Sequence, residues 1–88
     1  MAKKTTFRNL QTLEHARVAV RENLGEQYDE VIAPFRRTIE MVAEANSENH
    51  FEAMKRIQDD TRLMNTPEKT LAFSAALMEI VEEKNLQF

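Results

Sequence analysis

The chain has 88 residues, a formal net charge of −3, 42% hydrophobic and 31% charged side chains, one glycine, two prolines and no cysteine. The missing cysteine excludes disulfides, thiolate nucleophiles, zinc knuckles and iron–sulfur sites, and a lone glycine argues against P-loops, dinucleotide loops and hairpin turns. Such a length predicts one domain over residues 1–88, with a basic arm at 1–5 and a frayed tail at 86–88.

Helix formers dominate, and three breaks at Gly25, Asn46-Ser47 and Asn65-Thr66-Pro67 divide the chain into four segments. The first predicted helix runs from about Thr6 to Leu24. Phe7, Leu10, Leu13, Ala16, Val20 and Leu24 fall three or four apart, and Gly25 sits where a helix-ending glycine of positive φ belongs. Arg17 interrupts this stripe from a position that a strict heptad assigns to the core, so its aliphatic stem is expected to lie at the stripe's edge with the charged head in water.

The second helix spans about Glu26 to Ala45 on the seam Tyr28, Ile32, Phe35, Ile39 and Val42, widened by Val31 and Met41. Pro34 falls inside it and removes the hydrogen bond to the Glu30 carbonyl. The apolar register runs unbroken across the proline, which favours a kink over a split into two helices. The third helix, from about Ser47 to Met64, has a thin stripe of Phe51, Met54, Ile57 and Met64 and a cap at Asn46 or Ser47. Glu48, Glu52, Arg56 and Asp60 lie four apart on its outer face, the spacing of helical ion pairs.

The fourth helix opens on Thr66-Pro67-Glu68, a cap, a proline at the first helical position and an acid at the second, and runs to about Lys84. Leu71, Ala75, Met78 and Val81 make one apolar stripe and Phe73, Leu77 and Ile80 another, so apolar side chains nearly encircle it. A helix apolar all round is buried on several sides. In a chain this short, one of those sides is expected to face another subunit through Phe73, Leu77 and Ile80.

Chemistry-bearing patterns are sparse. Neither His15 nor His50 follows a Glu three residues earlier, so the Glu-x-x-His pairs of a di-iron bundle are missing and no metal or cofactor is expected. Ser47 and Ser74, the two serines, lack a glycine elbow. Arg17, Arg21, Arg36 and Arg37, with Lys3, Lys4 and Arg8 nearby, suggest a basic patch on the first two segments able to contact phosphates. Against that, residues 1–44 balance seven basic with seven acidic side chains, and the predicted pI is about 5.4. No apolar run approaches the roughly 18 residues of a membrane span.

The sequence therefore predicts an all-α chain: a compact antiparallel four-helix bundle, oligomeric and most simply a dimer. The composition fits a reducing, cytoplasmic setting. The caps and stripes are generic to small helical proteins and point to no family. The function expected is that of a noncatalytic protein–protein interaction or regulatory protein that self-associates through its last helix. A nucleic-acid-associated regulator using Arg17, Arg21, Arg36 and Arg37 is the alternative.

Overall fold

The computed structural model describes residues 10–86. The basic arm over 1–5, Phe7, Arg8 and Phe88 lie outside them. Among the described residues the chain is all helical, with no strand. Helix α1 covers Leu10–Leu24, α2 Tyr28–Asn46, α3 His50–Gln58 and α4 Pro67–Lys84, and a single 3₁₀ turn over Gly25–Gln27 joins α1 to α2.

Local chemistry sets most of these boundaries. Gly25 takes φ +57°, the left-handed conformation expected of a glycine just past a helix end. Thr66 accepts a hydrogen bond from the Lys69 backbone N–H, and Pro67 occupies the first helical position, where its missing N–H costs nothing. Pro34 lies inside α2, which continues unbroken on both sides of it. The Thr38 hydroxyl donates to the Pro34 carbonyl oxygen at 2.9 Å.

Segment three departs from expectation. Its helix has nine residues, because the chain turns at Asp59 and stays irregular to Asn65. The Asp60 carboxylate accepts from the Arg62 backbone N–H, and its carbonyl accepts from Leu63 and Met64. Such local side-chain and turn bonds compete with the helical ladder. The N-cap is Asn49, not Asn46 or Ser47: it accepts from the Glu52 N–H, and the Glu52 carboxylate accepts from the Asn49 N–H, which closes a capping box. Ser47 instead ends α2 at φ 54°, so the chain reverses one residue later than the sequence suggests. Three long helices thus carry the fold with one short one, and the four-helix bundle expected from the sequence is not what forms.

Helix α4 is the hub. It packs on α1, α2 and α3; α2 also packs on α3, while α1 barely touches α2. The apolar perimeter of α4 is spent within the chain: Ala72, Phe73, Ala75, Ala76, Leu77, Ile80 and Val81 are all buried. With Leu13, Ile32, Ile39, Met54 and Ile57 they form one contiguous core. Phe35 and Phe73 meet edge to face with centroids 4.8 Å apart. Asn85 ends α4 in the left-handed conformation, and the Leu86 N–H donates to the Val81 carbonyl while its side chain packs back on the core. Leu86 is therefore part of the folded unit, and the rest of the expected tail, 87–88, lies outside the described residues. The radius of gyration is 12.2 Å, matching the roughly 12 Å of a compact domain of this length.

Candidate functional site

The residues expected to face a partner do not reach the surface. Phe73, Leu77 and Ile80 are 3%, 0% and 0% exposed. A helix held on three sides by its own chain has no such stripe left to offer. The outward apolar residue of α4 is Leu71, at 43%.

The four arginines do not form a basic patch. Arg17 is 7% exposed, and its guanidinium is tied to carboxylates on two helices. Its Nη1 lies 2.8 Å from Glu82 Oε1, and its Nη2 lies 2.5 Å from Glu14 Oε1 and 3.3 Å from Glu82 Oε2. Glu79 stands 3.8 Å from Nη1. The hydrogen bond to Glu82 raises the Arg17 pKa above its ordinary value, outweighing the opposite effect of burial, and the same contact holds the Glu82 carboxyl low. Nε of Arg17 is buried without a hydrogen-bond partner, the one such side-chain atom among the described residues.

Arg21, one turn on, lies with its Cζ 5.0 Å above the Tyr28 ring and its Nη2 3.3 Å from Glu79. The Tyr28 hydroxyl donates to the same Glu79 carboxylate at 2.6 Å. Burial drives the phenol pKa upward, and the bond to Glu79 adds to that shift. Arg36 is bound to Glu83. Arg37 alone of the four is exposed with no ion pair among the described residues. Arg17, Arg21 and Arg36 are thus neutralised by three acids from the last turns of α4, and the cluster acts as a polar clasp between helices. Sequence reasoning missed Glu79, Glu82 and Glu83. The available signal was Arg17 at a core position of one helix and acids three apart on another.

Two concavities are relevant to function. One is an open dish bordered by Glu40, Glu44, Ser47, Glu48, His50 and Lys84. Burial lowers the His50 pKa, with Glu40 opposing and Lys84 reinforcing the shift. Among the described residues no hydrogen bond joins Ser47 to His50, so nothing pairs a nucleophile with a base. Ser74 is half-buried within α4, and His15 is exposed on α1. Also among the described residues, no three of His, Asp and Glu are placed to hold a metal ion, and no helix is long and apolar enough to cross a membrane.

The other concavity is a groove of about 330 Å³ where the last turns of α1, the first half of α2 and the first turns of α4 meet. It exists because α1 and α2 barely touch, which leaves a wedge open above α4. Val20, Leu24, Val31, Phe35, Leu71 and Ala72 line it. Val31 is 36% exposed, while Val20 and Ala72 are buried. Polar groups enter only through Asn23, Glu68 and Lys69. Apolar walls with a few polar groups at one edge suit an apolar ligand or the side chains of another polypeptide.

No family model, no curated protein and no solved structure matches this chain.

Proposed function

We propose that this chain is a small noncatalytic interaction or regulatory protein that works by self-association in the cytoplasm, a homodimer being the simplest form. The observation that carries this reading is the apolar groove with Val31 and Leu71 exposed on it. The contact surface moves accordingly, from the buried Phe73, Leu77 and Ile80 to the first turns of α4 and the adjoining ends of α1 and α2. The polar side chains support a noncatalytic role, since the strongest polar cluster is consumed in holding α1 against α4 and against Tyr28. Its neutralisation also weakens the nucleic-acid reading, because phosphate binding draws on cations free to release counterions.

Absolute mass by light scattering on a sizing column tests the proposal, using untagged protein over a range of concentrations. The expected result is a mass rising toward twice that of the chain. A monomer at every concentration overturns it. Fluorescence titration with duplex DNA and with RNA at low salt is expected to show no binding, and salt-sensitive binding would reinstate the alternative.

A further inference from the structure

We infer that the groove is the contact face of an isologous dimer, in which Leu71 of each chain enters the groove of a second copy and Glu68 of each chain meets Lys69 of the other. This rests on the self-association proposed above and specifies its geometry.

Three observations carry it. First, Glu68 and Lys69 line the α4 edge of the groove, and neither makes an ion pair among the described residues. Both charges are therefore free to meet a partner at the groove's edge. Second, the two charges are adjacent and opposite. In a two-fold contact the same patch faces itself, so a patch with one sign of charge repels its copy. A patch with one unpaired acid beside one unpaired base complements its copy twice over. Third, Leu71 is an apolar side chain 43% exposed at the border of an apolar groove, two residues beyond Lys69. One element thus supplies both the knob and the charges, and the same chain supplies the hole. The dimer is expected to be reversible and concentration-dependent.

Charge exchange in the full chain tests the geometry by sedimentation equilibrium at low salt. Glu68→Lys places two lysines at the edge and Lys69→Glu places two acids there. Each variant alone is expected to dimerise at least ten-fold more weakly than the natural chain. An equimolar mixture of the two is expected to regain dimers, because every crosswise contact is then attractive. The double exchange E68K/K69E is expected to dimerise like the natural chain. Helix content by circular dichroism checks that each variant is folded. A mixture no more dimeric than its components overturns the crosswise contact while leaving self-association standing, as do single variants that dimerise like the natural chain. A natural chain that remains monomeric at all concentrations overturns both and gives the groove to a different protein.

Discussion

Arg17 has little access to water, yet it joins α1 to α4 through carboxylates that themselves remain partly exposed, Glu14 at 40% and Glu82 at 60% of the side chain. Such a pair loses less water than a fully buried one and holds less energy than its short distances suggest. Arg17→Ala removes several charge-assisted bonds and the aliphatic stem, and it should destabilise the fold by about 1–3 kcal/mol. Arg17→Met, which keeps the stem packed, should cost less; urea unfolding of both variants measures the difference.

The same residues predict how stability depends on pH. Glu82 is held below the ordinary carboxyl value of 4.5 in the folded chain, so it stabilises the fold at neutral pH. That contribution fades as pH falls from 4.5 through its folded value. His50 is held below 6.5, so the folded chain binds its proton less readily than the unfolded chain does, and stability begins to fall as pH drops below 6.5. Thermal unfolding from pH 8 to pH 3 should therefore show two losses. His50→Gln removes the upper one and Arg17→Met shrinks the lower one.

The helices differ in how strongly their own sequence supports them. Helix α2 carries a proline at its middle, where the lost hydrogen bond and the ring clash disfavour a helix by about 3 kcal/mol. It remains one helix because Ile32, Ile39 and Ala43 are buried on the face against α3 and α4. Pro34 itself is exposed, so Pro34→Ala changes no packing. This substitution should stabilise the chain by about 1–3 kcal/mol, read as a rise in the calorimetric midpoint at about 4–8 °C per kcal/mol for a domain of this size. Helix α3 is the opposite case. Its stripe is thin and its outer face carries the right charges four apart, yet the helix ends at Gln58. The observed ion pairs are Arg56 with Glu48 and Arg62 with Asp60 rather than the i,i+4 ladder. Pairs on an exposed face add too little to extend the helix against the turn bonds that Asp60 offers.

For the molecule as a whole, α4 is surrounded by its own chain, and the consequence separates two substitutions of similar chemistry. Leu77→Glu puts a carboxylate at a site with no solvent access, a cost of several kcal/mol against a total stability of about 4–13 kcal/mol for a chain this long. It should abolish the cooperative unfolding transition. Leu71→Glu alters a side chain that is already 43% exposed. It should leave the melting curve of dilute protein almost unchanged while reducing the light-scattering mass at high concentration toward that of one chain. Had Phe73, Leu77 and Ile80 formed the contact face, Leu77→Glu would yield a folded monomer, so the pair of variants discriminates between the two faces.

Much of this was legible from residues alone. The three-and-four spacing of apolar side chains placed α1, α2 and α4, and Gly25 and Thr66-Pro67 marked two of the turns, because periodicity and caps act within a few residues of chain. The all-helical class followed from the same signals. The sequence could not say which side of α4 meets which neighbour. A nearly complete apolar perimeter is equally compatible with three partners in the same chain and with one in another, and only the tertiary arrangement assigned most of it to α1, α2 and α3 while leaving Leu71 outside. For the same reason the four arginines read as a patch until α4 brought Glu79, Glu82 and Glu83 against Arg17, Arg21 and Arg36 from 47 to 65 residues away. The groove was invisible for a further reason: it is made of residues from three helices and depends on a gap between α1 and α2, and a gap leaves no mark in the sequence of either.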